Sequence, residues 1–438
     1  MKIIFVASGN KYGGQVSSFV RSQYESLQQE GLDMLMCPVT GHGWKAYAKT
    51  IFRLRRMIRH ERPDIVHAHY STCGFVASIA SFGIRYPKNQ KSQITNKPKI
   101  LVSILGSFPS HSRKWRRVRW AVQHLWDTTI TKSRRTADQL GFDLPVIPNG
   151  VNTNIFHPVS ESERESLREK LFTNHQSQIT NHQSQITNNQ SQITNHKYII
   201  WCSNPSRPEK NWPLAQEAVS LLKSQITNAE QRERSFERSE IRNHKSQIKL
   251  VPVYNKTPQE VAQYMNAADV MLLTSMSEGS PNVIKEALAC NCPIVTTNVG
   301  DVEERLSVAP NHQSQITNPQ SQITNNQSPI TNHKSQITSH QSQITNHQYL
   351  PGCYVIPADS TPTYGLQGVG EWFEKDAQYL AESIEKALDF GQRTKGYDRI
   401  LQDGLTVEQT AKKIMKIYES LVVEKIDEKE EERMIRTE

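Results

Sequence analysis

The chain has 438 residues, carries 52 Lys or Arg against 43 Asp or Glu for a formal charge of +9, and is only 36% hydrophobic. That length supports two domains with a core each, while the low hydrophobic share says that part of the chain is not core. No apolar run reaches the roughly 18 residues of a spanning helix, and the opening MKIIFVASG is too short for a secretion signal, so no transmembrane helix and a cytoplasmic location are expected.

In chain order, strand-like runs alternate with helical ones: IIFVAS, a helix through VSSFVRSQYESLQQEG, a helix through AYAKTIFRLRRMIRHE, then DIVHAH, KILVSIL, TTITKS and LPVIPNGV. This order predicts one parallel, doubly wound unit over residues 1–165. A second unit over 197–400 starts with KYIIWCSN, continues through IKLVPVY and DVMLLTS, and reaches PIVTTNV. Two such α/β units leave a cleft between the carboxyl ends of their strands, where open sheets of this kind bind ligands. TVEQTAKKIMKIYESLV near the end opens on a capping box, Thr406 with Gln409, and predicts a helix over 401–425 before a charged, mobile tail.

A seven-residue unit, NHQSQIT, interrupts this order near 88–97, through the linker 166–196, and at 224–248 and 311–348. Each copy offers one apolar residue where a coiled-coil seam needs two, so the copies read as disordered polar insertions in surface loops. They hold eight of the fifteen histidines, but without the fixed geometry a metal site requires. The six cysteines are scattered, with Cys290 and Cys292 the one close pair, which reads as reduced, buried thiols.

The chemistry concentrates in SEGSPNVIKEALACNCPIV at 277–295. A buried strand, the turn EGSP and a helix with Pro281 at its first position bring Glu278 to the cleft, with Val283, Ile284, Ala287 and Leu288 facing inward. Amides at this helix start, from Gly279 and Ser280 to Asn282, suit phosphate oxygens, whereas a carboxylate beside them suits hydroxyls. Glu286 follows Glu278 by eight residues, about 12 Å along a helix, which matches two diols on one ligand. A nucleotide sugar has that layout, with a diphosphate between its ribose and its sugar ring. Cations for the diphosphate stand in SNPSRPEKNWPLA as Arg207 and Lys210, and Gly13 and Gly14 follow the first strand, where a backbone can come close to a ligand.

Taken together, YGGQVSSFV, RPDIVHAHY, VIPNGVNTNIFHP, SRPEKNWPLA and AADVMLLTSMSEGSPNVIKEALACNCPIVTTNVGDVEE resemble the retaining GT-B glycosyltransferases of family 4. The resemblance implies two facing Rossmann-like domains, with a final helix that returns to the first. It implies transfer of a sugar from a nucleotide-diphosphate sugar to a glycan or lipid-linked acceptor, in polysaccharide or glycolipid synthesis, with no metal and no cofactor. It assigns Glu278 to the transferred sugar, Glu286 to the ribose, Arg207 and Lys210 to the diphosphate, and Gly13 and Gly14 to the phosphates. Two departures stand out. Leu105 occupies the place of a histidine that many members carry before the glycine of VSILGSF, and Arg207 substitutes for an absent Gly-Arg pair. Two alternatives therefore stay open: a nucleotide-sugar epimerase of the same architecture, and an inactive sugar-nucleotide-binding descendant.

Residues 1–160 hold 23 Lys or Arg against 8 Asp or Glu, so the basic excess lies on the expected acceptor side. It concentrates in FRLRRMIRHER and in SRKWRRVRW, where Arg113, Lys114, Arg116, Arg117 and Arg119 interleave with Trp115 and Trp120. Such a segment reads as a face for an anionic membrane surface or as a plain solvated face. Nucleic acid is not expected, because no nucleic-acid motif accompanies the patch.

Overall fold

A computed structural model describes residues 1–9, 14–41, 43–86, 97–106, 113–172, 196–234, 248–308, 349–356 and 369–435. The first sheet is built from β1 (Lys2–Ser8), β2 (Asp33–Val39), β3 (Ile65–His69), β4 (Lys99–Ile104) and β5 (Thr128–Thr131), all parallel, in the order β2-β1-β3-β4-β5. Strands buried on both faces read as continuous apolar runs, and β1, β3 and β4 are buried along nearly their whole length. One face is covered by α2 (Gly43–Glu61), α3 (Ser71–Ser81) and α4 (Arg113–His124), which pack Leu54, Ile58, Ala77, Trp115 and Val118 onto Val6, Val66 and Val102. The other face is covered by α1 (Ser18–Gln29) and by the last helix of the chain. The short α5 (Arg134–Leu140) and then α6 (Glu161–Phe172) lead toward the second domain.

The second sheet has the same design: β6 (Lys197–Trp201), β7 (Ile248–Pro252), β8 (Val270–Leu273), β9 (Ile294–Thr297) and β10 (Cys353–Ile356) in the order β10-β9-β8-β6-β7. Around it pack α7 (Trp212–Arg234), α8 (Pro258–Ala267), α9 (Asn282–Ala289), α10 (Val302–Leu306), α11 (Val369–Phe390) and α12 (Gly396–Gln402). The final α13 (Val407–Ile435) opens on the expected capping box: Gln409 N donates to Thr406 Oγ1 at 3.2 Å, and Thr406 N to Gln409 Oε1 at 3.3 Å. It returns to the first domain, where Ala411, Ile414 and Tyr418 join Ile3, Phe5, Ile65 and Leu101 in one core.

Two chain crossings meet between the domains. Val151 N donates to Leu405 O at 2.8 Å and Val407 N to Val151 O at 3.0 Å. Gly150 permits that contact, since a Cβ there would lie 2.6 Å from Thr406 O and from Val407 Cα.

Several expectations are corrected. LPVIPNGV forms isolated bridges and no strand, because Pro145 and Pro148 have no amide to give to a ladder. The repeat copy at 224–228 is helical, part of α7, for it holds no Gly or Pro to stop the helix. The tail beyond Glu424 continues α13 to Ile435, as closely spaced Glu and Lys favour. The other repeat tracts, at 87–96, 173–195, 235–247 and 309–348, lie outside the described residues. The six cysteines are all free, as expected, and five of them are buried.

Candidate active site

In each sheet the strand order reverses beside its first strand, between β1 and β3 and between β6 and β8. Those are the switch points where the loops diverge and leave a crevice. The two crevices face each other across one cleft of about 530 Å³, lined by Ser8, Tyr70 and Leu105 of the first domain and by Arg207, Lys210, Glu278, Ser280, Pro281 and Asn282 of the second.

The second-domain wall is assembled by buried hydrogen bonds. Trp201 Nε1, at the end of β6, donates to Thr274 Oγ1 at 2.9 Å. That hydroxyl faces the carbonyls of Lys210 and Asn211 at 3.0 and 2.9 Å. Met276 N donates to Glu209 O at 3.0 Å, tying the loop after β8 to the loop after β6. Asn211 turns that loop with a φ of 54°, a conformation Asn tolerates better than most residues. The result joins two residues far apart in sequence: the Lys210 ammonium and the Glu278 carboxylate form an ion pair whose two side chains are each about five-sixths buried. Arg207 folds back on Glu209, Nε to Oε1 at 2.8 Å, and stays half exposed.

The EGSP turn crosses the cleft. Gly279 faces Leu105 O and Gly106 Cα at 3.6 Å from where its Cβ would stand, and Gly300 lies behind it. A Cβ on Gly300 would meet Gly279 O at 2.6 Å, and its φ of +63° also favours glycine. Ser280 Oγ donates to Asp301 Oδ2 at 2.9 Å, and Asn282 Oδ1 accepts from Asn149 Nδ2 at 3.2 Å, a bond between the domains. Pro281 is the N-cap of α9, one position earlier than expected. On α9, Ile284, Ala287 and Leu288 are fully buried, whereas Val283 is only half-buried and lines the cleft. The first-turn amides of such a helix have no intrahelical acceptor and can meet an anion.

Glu286 is one turn further along α9 and does not line the cleft. Burial pushes its carboxyl up to about 7, against the Lys285 ammonium, which pulls it down. Gly14 also stands apart from the cleft lining. Its φ of +92° accounts for the glycine, and its amide donates to Gly9 O at 3.1 Å. Gly13 lies outside the described residues.

On α4, Arg113, Lys114, Arg116, Arg117 and Arg119 are exposed, and Lys114 also reaches the cleft. Trp120 is exposed, but Trp115 is not part of that surface. It is fully buried in the core, its Nε1 donating to Gln139 O at 3.0 Å, because position 115 falls on the inward stripe with Val118. The same surface extends over the neighbouring helices, where Lys45, Lys49, Arg53, Arg56 and Arg59 of α2 are exposed. Large apolar side chains stand out among these cations: Trp44 and Phe52 on α2, Ile79 on α3 and Phe82 just after it, all more than half exposed.

Sequence reasoning missed Gly300, Asp301, Lys285, Asn149 and Lys132. Lys132, just after β5, is buried with no hydrogen-bond partner for its ammonium among the described residues, and desolvation lowers it to about 7, helped by the charge of Lys285. No local pattern marks such residues: Gly300, Asp301 and Lys285 reach the EGSP turn only in the folded second domain, and Asn149 and Lys132 meet Asn282 and the charge of Lys285 only when the two domains face each other. Among the described residues no group of three His, Cys, Asp or Glu side chains could hold a metal ion, and no helix is long and apolar enough to cross a membrane.

The sequence profile described as a glycosyl transferase 4-like domain matches residues 6–150, and the one described as glycosyl transferases group 1 matches residues 196–321. No curated protein matches the chain. Among solved structures, Anabaena HepE in complex with UDP-glucose aligns at a TM-score of 0.57 and 14% identity, over 96% of this chain and 100% of that one. Sucrose-phosphate synthase from Thermosynechococcus elongatus aligns at 0.58 and 14%, over 96% and 99%. The catalytic domain of starch synthase IV from Arabidopsis thaliana, bound to ADP and acarbose, aligns at 0.53 and 11%, over 96% and 99%. Identities this low speak for the fold, two facing α/β domains, while the two profiles cover well over half of the chain, one on each side of the cleft. The chain therefore belongs to the GT-B glycosyltransferases, with a family 4-like first domain and a group 1 second domain.

Proposed function

We propose that this transferase moves a sugar, of hexose type, from a nucleotide-diphosphate sugar to a glycan or lipid-linked acceptor with retention of configuration. The observation that carries the reading is the meeting of Lys210, Arg207, Glu278 and the start of α9 in one cleft between the domains. Lys210, Arg207 and the first-turn amides of α9 hold the diphosphate as charge builds on it during departure, an electrostatic contribution made by groups already in place. Glu278 accepts hydroxyls of the transferred sugar once the donor competes for its partner Lys210. Glu286, one turn along α9 beyond the residues that line the cleft, is assigned to the ribose hydroxyls. The acceptor enters from the first-domain wall and attacks from the side on which the diphosphate leaves, with the leaving phosphate taking its proton. No metal or cofactor is needed in this scheme.

The basic outer surface of α2 and α4, with its exposed aromatic side chains, suits a peripheral position on an anionic membrane, as a lipid-linked acceptor in polysaccharide or glycolipid synthesis requires. A cytoplasmic location at the inner membrane face fits the same reading.

A panel of nucleotide sugars, incubated with and without lipid or glycan acceptors, tests it through release of nucleoside diphosphate. Acceptor-dependent release supports transfer. Conversion of the donor sugar without release points to an epimerase, and donor binding without turnover points to an inactive descendant in which Leu105 has ended catalysis.

A further inference from the structure

On α9, between the fully buried Ile284 and the buried Ala287 and Leu288, stands a lysine that is only 1% exposed. Burying an ammonium is costly, and an apolar side chain would fill the same space at lower cost. Lys285 is nevertheless placed with its Nζ 2.8 Å from Ser280 Oγ. The Ser280 hydroxyl in turn donates to Asp301 Oδ2 at 2.9 Å, and Asp301 is itself buried. The same carboxylate oxygen accepts from Arg305 Nε at 3.1 Å, and Arg305 reaches Asp403 Oδ2 at 3.2 Å, where Arg399 Nε also donates at 3.0 Å. A continuous polar chain thus runs from the EGSP turn to residues 403–407, the segment that pairs with the crossing at Val151.

We propose that Lys285 is a positioning residue for the donor: with Asp301 it clamps Ser280 from both sides and so fixes the backbone of residues 279–282 that receives the diphosphate. Gly300 completes the clamp by letting the α10 loop press against Gly279. Lys285 does not itself line the cleft. It acts through Ser280, which does, and the assignment of the turn to the diphosphate rests on the function proposed above.

Lys285→Met keeps the volume and removes the ammonium. In the ligand-free protein, amide hydrogen exchange across residues 278–283 should quicken by about 10-fold or more, because local opening of the turn becomes easier, while the thermal midpoint stays level or rises. With the donor that the wild type uses, the donor KM should rise by about 10-fold and kcat change by less than about 3-fold, the signature of lost binding to a diphosphate held alike in the ground and transition states. Should this variant fail to fold, Asp301→Asn carries the same expectation. Unchanged exchange in a folded variant overturns the inference, whatever the kinetics. Quickened exchange in a protein that neither binds nor turns over UDP-, ADP- or GDP-sugars sustains the clamp and overturns its assignment to a donor.

Discussion

The two walls of the cleft are built by opposite rules. On the second-domain wall the polar and charged side chains are tied down, Lys210 to Glu278, Arg207 to Glu209, and Ser280 between Lys285 and Asp301. The first-domain wall is formed by hydroxyls, aromatics and aliphatics, such as Ser8, Phe19, Tyr47, Tyr70, Thr72 and Ile104, with Lys114 as the one cation among its described residues. A diphosphate is the same in every donor and rewards fixed charge, because dipoles already in place need no reorganisation. An acceptor varies, and a wall mostly of hydroxyls and rings can change its choice without losing the chemistry opposite.

Substitutions on the two walls should therefore differ in kind, and the largest effect is expected at the ion pair. Glu278→Ala and Lys210→Ala should each lower kcat/KM by about 10²-fold or more, with the thermal midpoint within a few degrees of wild type, since neither side chain belongs to a core. Normal turnover by either folded variant would remove that pair from the site.

Gly300→Ala tests whether the second wall depends on its backing. The Cβ would stand 2.6 Å from Gly279 O at a φ of +63°, so a loss of about 1–3 kcal/mol in denaturant unfolding is expected. Full stability in that variant would show the loop to be looser than the close contact implies.

Glu286→Ala should weaken donor binding by about 1–3 kcal/mol if the carboxylate accepts ribose hydroxyls. Its raised value, about 7, adds a pH signature: the carboxyl is mostly neutral below pH 7, so wild-type donor affinity should improve between pH 6 and 8. Glu286→Gln should flatten that rise. Because the folded value is raised above 4.5, this group's contribution to stability is present below the unfolded value and is lost as pH climbs through 7.

A smaller effect belongs to Lys132, on the first domain and outside both walls. Replacing a buried, unpartnered ammonium with Met should stabilise the protein by about 1–3 kcal/mol near pH 6. The folded value near 7 is depressed from 10.5, so the unfolded chain binds the extra proton in that window and wild-type stability rises with pH across it. The advantage of Lys132→Met should shrink toward pH 10, and a constant advantage would contradict the burial argument.

The difference between the walls also explains what the sequence made legible. Strand, turn and helix around Glu278 are contiguous, so the burial pattern of DVMLLTS and the punctuation of EGSP placed that carboxylate correctly. The pairing of Lys210 with Glu278 spans 68 residues, and Gly300 and Asp301 reach the turn only through the folded sheet, so no local pattern announces them. β2 escaped notice because DMLMCPV carries Pro38, which a ladder tolerates there only because β2 is the edge strand. The first wall was least legible. Tyr47 reads as one more position of a basic helix, and nothing short of the fold turns it toward the cleft.

The most direct test of the account measures the affinity of free UDP, ADP and GDP for the wild type and for one set of variants on each wall. Tyr47→Ala and Thr72→Ala on the first wall should leave the Kd of the preferred nucleotide within about 2-fold, while Lys210→Ala on the second should raise it by about 10-fold or more, the value of a charge-assisted contact. Nucleotide affinity that falls with the first-wall variants and survives Lys210→Ala would contradict the division of labour between the two domains.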